Sequence, residues 1–256
     1  MGEVAFGFDL AALLPFIAIG FAAQLVDGAL GMAFGVICNT LLVGVVGVAP
    51  AQASAQVHVV KAFTGAISGL SHVLHGNVDW RLFWKLTPAA IVGGVIGAYV
   101  LSSVDGALAK PFVLLFLTAI GLHLLWRGIG YRPIQRKVRH VRPLGLIGGL
   151  LDATGGGGWG PVVTSNLLMQ GAEPRIVVGT VNTVEFFLTV AISAAFIFHL
   201  GVSDLAGATL GLLIGGVLAA PLGAWAARHF PPRMLMILVG IVLTITSAYG
   251  LWSAWG

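Results

Sequence analysis

Charge is what this sequence has least of. Only 9% of its 256 residues are charged, against about a quarter in a soluble protein, while 58% are hydrophobic. With a mean hydropathy of +1.00, the chain reads as a polytopic membrane protein, its first partner the lipid bilayer. Cysteine is nearly missing. Cys38 stands alone, which excludes an intrachain disulfide and a cysteine-held metal cluster. The first nine residues contain no lysine or arginine and carry Glu3 and Asp9, so the opening apolar segment is expected to stay in place rather than leave as a signal peptide. Enzyme motifs are also missing. There is no His-Glu-x-x-His, no Gly-x-Ser-x-Gly, and no convincing ligand set among the seven histidines; no enzyme activity, metal or cofactor is expected. The net charge of +4 is not a nucleic-acid signal. Arg127, Arg132, Arg136, Lys137, Arg139 and Arg142 crowd into one connection, as the positive-inside rule places on the cytoplasmic side.

Glycine is what the chain has in abundance, 37 residues, and its placement organises the rest. The run Asp152-Ala-Thr-Gly-Gly-Gly-Gly-Trp-Gly160 lies inside an apolar segment from about Leu144 to Met169. Each glycine costs about 1 kcal/mol in a helix interior, so the run predicts a break. A break in hydrocarbon leaves peptide groups unpaired and is tolerated only where protein or a watery cavity surrounds it. Close helix packing would also use glycine, but packing alone does not call for Asp152. The first apolar stretch, about Leu10 to Val48, carries its own interruption at Asp27-Gly-Ala-Leu-Gly31. Further spans are expected at about Ser54 to His75, Leu86 to Val104, Pro111 to Trp126, Pro174 to His199, Leu205 to Ala227 and Pro232 to Trp252.

The two halves match. Asp27 to Gly35 lies over Asp152 to Gly160, an offset of 125 (152 less 27), and Ala49-Pro50 lies over Glu173-Pro174, an offset of 124. Residues 1–126 and 143–256 are therefore expected to form two membrane repeats, joined by a basic cytoplasmic linker, 127–142. Placing the loops with Arg81 and Lys85, with the linker, and with Arg228 and Arg233 all inside makes each broken segment enter and leave on one side. The expected fold is all-α: two inverted repeats, each a glycine-broken re-entrant hairpin of two half-helices of ~13 residues plus three transmembrane helices. Eight full crossings with parallel repeats is the alternative.

Polar residues concentrate on the second element of each half. Ser54, His58, Lys61, Gly65, Ser68, His72 and His75 follow spacings of three and four and share one helix face. The matching face holds Asn182, Glu185, Thr189 and His199. Lys61 and Glu185 occupy one repeat position, near the bilayer middle, where an unpartnered charge costs ~2.5–3.5 kcal/mol or more. Two readings stay open. They form an ion pair holding the halves in register, or Lys61 binds an anion and Glu185 titrates with protons. Asp27 and Asp152 either cap the half-helices or couple transport to a proton or cation. Free N–H groups at the breaks, around Gly31, Gly156 and Gly157, suit an anion. Trp159 is placed to wall the site, Asn39, Ser165 and Asn166 to line it, Thr180 and Asn182 to donate neutral hydrogen bonds to the anion, and His58 to join them in binding it. His72 and His75 fall near a helix end, and Trp84, Trp126, Trp252 and Trp255 near span ends as interfacial anchors.

The glycine run through Pro161, the segment Pro174-Arg-Ile-Val-Val-Gly-Thr-Val-Asn182, and Ser68-Gly-Leu-Ser-His72 together resemble the sulfite exporter TauE/SafE family over about residues 10 to 252. The resemblance implies a secondary transporter in the cytoplasmic (inner) membrane, exporting sulfite, an organosulfonate or a related small anion. An acidic residue is expected in that family where Lys61 stands. A channel-like anion pore and an uptake carrier for a related anion remain alternatives, as does a homodimer.

Overall fold

The computed structural model describes residues 10–30, 32–130, 139–170, 172–201, 206–229 and 232–255. Among them all regular structure is helical. In half one, α1 (Leu10–Leu30) is followed by a break and α2 (Phe34–Leu41), which runs on into a wider π turn, Leu42–Val46. Three long helices follow, α3 (Pro50–Leu74), α4 (Trp80–Ser103) and α5 (Gly106–Gly130). Half two repeats the order of helices, with its π turn ahead of the second arm rather than after it. α6 (Val141–Gly155) breaks, a π turn (Gly160–Thr164) leads into α7 (Ser165–Met169), and α8 (Pro174–Leu200), α9 (Ala206–His229) and α10 (Pro232–Trp255) complete it. Among the described residues, four helices are long and apolar enough to cross a membrane: Pro50–Leu74, Trp80–Ser103, Gly106–Gly130 and Ile176–Leu200.

Hydropathy locates these helices, and caps extend them beyond their apolar spans. Asp79 accepts the N–H groups of Arg81 (2.8 Å) and Leu82 (3.2 Å). That cap carries α4 back through the polar turn Trp80–Lys85, six residues ahead of the expected Leu86. Asp105 does the same for α5, accepting from Ala107 at 2.8 Å. The arms around the breaks are unequal. The expectation was half-helices of ~13 residues, but α1 has 21 and α6 has 15. Asp27 and Gly28 lie inside α1, so the first break falls later than the Asp-Gly pair suggested.

Helix pairing follows the repeat. α1 packs on α9 of the other half, and its counterpart α6 packs on α4; α3 pairs with its own counterpart α8, and α5 with α10. Glycines make these approaches possible. A Cβ on Gly145 would sit 2.9 Å from the Leu86 carbonyl oxygen, and one on Gly20 would strike the Leu212 carbonyl. Both are glycine-on-leucine-carbonyl contacts, related by offsets of 125 and 126. Direction can be read from contact order. Along α3, Lys61 meets Glu185, Gly65 faces Phe186, Gly69 faces Thr183, and Asn77 just beyond lies against Gly179. From Gly65 onward the α8 numbers fall as the α3 numbers rise (186, 183, 179), so α3 and α8 run antiparallel. In α5 and α10, Leu114 lies by Gly250, Gly121 by Thr244 and Gly128 by Ile237, which is antiparallel again.

The two breaks cross each other. A Cβ on Gly35 would lie 2.6 Å from the Gly157 Cα, and one on Gly160 would lie 2.5 Å from the Met32 Cβ. These contacts are the same pair under the 125-residue offset. Gly156 has φ +69° and faces the Asn39 side chain. An alanine there combines a left-handed backbone, disfavoured by about 1–2 kcal/mol, with overpacking of about 1–3 kcal/mol. Gly156→Ala and Gly35→Ala should each lower the detergent-solubilised melting temperature, read by fluorescence-detected size exclusion after heating. At exposed Gly130, where a Cβ meets nothing within 4 Å, alanine should not lower it.

Candidate functional site at the crossed breaks

A broken helix leaves N–H groups free at each restart and carbonyls free at each stop. Side chains take up several of both here. Asp27, in the last turn of α1, accepts the N–H groups of Ala33 (2.6 Å) and Phe34 (2.8 Å) at the start of α2. Asp152, near the end of α6, accepts the Trp159 N–H at 2.9 Å. Each carboxylate reaches the residue seven positions on. At the stop of α6, Ser54 Oγ donates to the Ala153 carbonyl (2.6 Å) and Asn39 Nδ2 to the Gly155 carbonyl (2.7 Å). Half one thus completes the hydrogen bonding of the break in half two.

His58 is tied to the same place. Its Nδ1 lies 2.7 Å from the Ser54 carbonyl one turn back, and its Nε2 lies 3.1 Å from Asp152 Oδ2. Both side chains are completely buried. One turn further along α3, Lys61 forms an ion pair with Glu185 of α8. Asp152 and Asp27 also lie within electrostatic reach of the Lys61 ammonium. One lysine therefore has one carboxylate in contact and two more within electrostatic reach, and the centre is net negative when all four are ionised and His58 is neutral. Trp159 is fully buried against this centre and donates its indole N–H to the Val181 carbonyl at 3.3 Å.

Other residues singled out from the sequence are placed differently. Thr180 is buried and accepts the Asp79 N–H at 2.8 Å, joining α8 to the start of α4. Asn182 lies nearer the α3 C-terminus, its amide 3.4 Å from Ser68 Oγ and 3.5 Å from His72 Nε2. His72 is thus drawn into an interhelical contact, while His75 is exposed. Asn166 faces a separate cavity of about 710 Å³ with Arg139, His140 and Gln170, and accepts from Gln170 at 2.5 Å. Ser165 is buried and donates to Met32 Sδ at 3.9 Å. Gly31 lies outside the described residues. Trp84, Trp126 and Trp252 point outward. Ser54 was visible on the polar face of α3, but its partner, a carbonyl 99 residues away, left no trace in local spacing. Thr40 and Thr164, buried with no hydroxyl partner among the described residues, were equally silent.

An all-helical, multi-pass membrane protein with two broken helices crossing at a buried charged centre is the class these features define. The particular family follows from comparison. The chain belongs to the sulfite exporter TauE/SafE family, whose model matches residues 16–250. It is 42% identical over 253 residues to the "Probable membrane transporter protein YtnM" of Bacillus subtilis (strain 168), covering 95% of this chain and 84% of that one. It is also 23% identical over 257 residues to a "Probable membrane transporter protein" of Haemophilus influenzae, covering 95% and 96%. No solved structure matches. The protein is a membrane transporter.

The ion pair makes its own prediction. Removing one partner of a buried pair typically costs about 3–5 kcal/mol, because the other charge is left uncompensated. Lys61→Met and Glu185→Leu should each lower the melting temperature markedly, and the double variant should recover most of the loss. Additive losses in the double variant would show that the two side chains do not compensate each other.

Proposed function

We propose that this transporter exports a small sulfur-containing anion, sulfite or an organosulfonate, across the cytoplasmic membrane. In this reading residues 1–126 and 143–256 are inverted repeats flanking a cytoplasmic linker, 127–142. The antiparallel course of α3 against α8 and of α5 against α10 supports inversion, since counterpart helices related by an axis in the membrane plane run oppositely. Arg233, donating to the Gly128 carbonyl at 2.7 Å, stands at the linker end of α5. That supports placing the basic loops on one side.

One observation carries the substrate reading: a buried lysine at the point where two broken helices cross. Lys61 is the cation an anion would seek, with Asn39 Oδ1, Thr40 and Thr164 offering polar atoms not otherwise bonded among the described residues. The half-helix N–H groups are partly taken by Asp27 and Asp152, and Glu185 occupies Lys61. An anion is admitted when Glu185 is displaced from Lys61, or when a carboxylate is neutralised, and then released to the other side as the repeats rock about the crossing. Gly156, Gly157 and Trp159 form the rigid floor, and His58, Thr180 and Asn182 hold the helices that border it. The name carried by the family supports sulfite as the first substrate to try.

Proteoliposomes loaded with sulfite or methanesulfonate test this. Wild type should show saturable efflux, and Lys61→Ala, where it still elutes as a folded species, should lose at least tenfold in initial rate. Saturable flux untouched by the substitution would leave Lys61 as the structural partner of Glu185. Flux that rises linearly without saturation would point to a pore.

A further inference from the structure

We infer that His58 and Asp152 together bind the coupling proton of the transport cycle, a role distinct from that of the Lys61–Glu185 pair. The inference rests on the transporter reading above and names the ion and its site. Both neighbours of His58 Nδ1 are acceptors in this arrangement. The Ser54 carbonyl at 2.7 Å can only accept, and Ser54 Oγ at 3.3 Å has already given its proton to the Ala153 carbonyl at 2.6 Å. Nδ1 therefore carries a hydrogen. On the other side, Nε2 stands 3.1 Å from Asp152 Oδ2, and two lone pairs facing each other at that distance repel. A second proton must lie between them, as imidazolium beside carboxylate or as imidazole beside carboxylic acid. The contact exists only while the pair holds one proton more than neutral histidine and ionised aspartate possess.

This proton sits where it can control movement. Asp152 uses its other oxygen to cap the restart after the second break through Trp159, and His58 belongs to α3 of the opposite half. Losing the proton leaves a bare Nε2 against a carboxylate, so the link between α3 and the break opens; regaining it closes the link. No other element of chemistry is needed, since the proton comes from and returns to water. The charged group acting on Asp152 from the same helix as His58 is Lys61, and Glu185 of α8 and Asp27 of α1 belong to the same electrostatic cluster through Lys61. Phe196 of α8 covers the imidazole at 6.3 Å between ring centroids. With Lys61 held by Glu185, the proton on the pair brings the centre one unit closer to neutrality and eases entry of an anion. Glu185 is then the counter-ion of Lys61 and not the group that exchanges protons.

The test has one arm that does not depend on transport. Wild-type protein with ¹⁵N-labelled histidine, in lipid at pH 7, is compared by solid-state NMR with His58→Gln to assign the ring signals. Infrared difference spectra against Asp152→Asn look for a carboxylic acid carbonyl band. Either an imidazolium at His58 or a protonated Asp152 is expected. A neutral imidazole with bare Nε2 beside an ionised carboxylate overturns the proposal, whatever the protein transports. In the second arm, sulfite or methanesulfonate is distributed across proteoliposomes under an imposed pH gradient of either sign. Wild type should concentrate the anion on one side; His58→Gln and Asp152→Asn should move it only to equal concentrations. Accumulation retained in both variants also overturns the proposal. If wild type moves neither anion while the NMR arm finds the proton, the substrate reading has failed and the proton site stands.

Discussion

The constraint on which this structure depends is the contact between two interrupted backbones. Membrane helices stop inside protein only if something completes their hydrogen bonds, and here the first half helps to complete the break of the second while each break is capped by its own aspartate. Glycines at 35, 156, 157 and 160 let the chains approach to distances no side chain allows. At that distance Ser54 and Asn39 of one half reach the orphan carbonyls of the other. Asp27 and Asp152 close the N-terminal sides. The breaks are therefore a joint between the halves, and the charged residues beside them are held at fixed positions with respect to both.

That joint shapes what the centre can do. A half-helix N-terminus attracts anions, but at these breaks protein carboxylates already occupy the attraction in part. A lysine within reach of three carboxylates is a poor permanent anion site and a good conditional one. Its availability depends on where protons sit and on whether Glu185 stays with it. The same arrangement accounts for stability, since a charge stranded in this interior would be costly. Binding and integrity draw on one set of groups. A conservative change here has two consequences, so the stability of each variant has to be measured beside its flux.

Much of this architecture was legible in the sequence. Long apolar spans and prolines at helix starts such as Pro174 and Pro232 were sufficient for the helices, and a repeated Asp-to-Gly segment pointed to two breaks. The pairing of Lys61 with Glu185 was one of two readings left open by the 124-residue offset and the cost of an unpartnered charge. Capping by Asp27 and Asp152 was one of two readings left open. What escaped was long-range and directional. The 21-residue α1 swallowed Asp27 and Gly28 because its packing on α9 outweighs a local glycine penalty of about 1 kcal/mol. Asn166 was grouped with Asn39 by its place after a break, yet the shorter second arm, α7 with five residues, leaves it at a different cavity. The His58–Asp152 contact joins residues 94 apart and belongs to no periodicity. Helical spacing fixes which residues share a face, and only the crossing of the breaks decides what that face meets.

Inversion of the two halves about the crossed breaks is the central claim, and sidedness tests it most directly. In a Cys38→Ala background, His75→Cys and His199→Cys stand near the C-terminal ends of counterpart helices α3 and α8. A membrane-impermeant thiol reagent applied to intact cells or right-side-out vesicles should label His199→Cys from outside. His75→Cys should react only after the membrane is opened. Labelling of both from the same side would contradict the account, because counterpart helices would then run in parallel and the two halves could not exchange roles across the membrane.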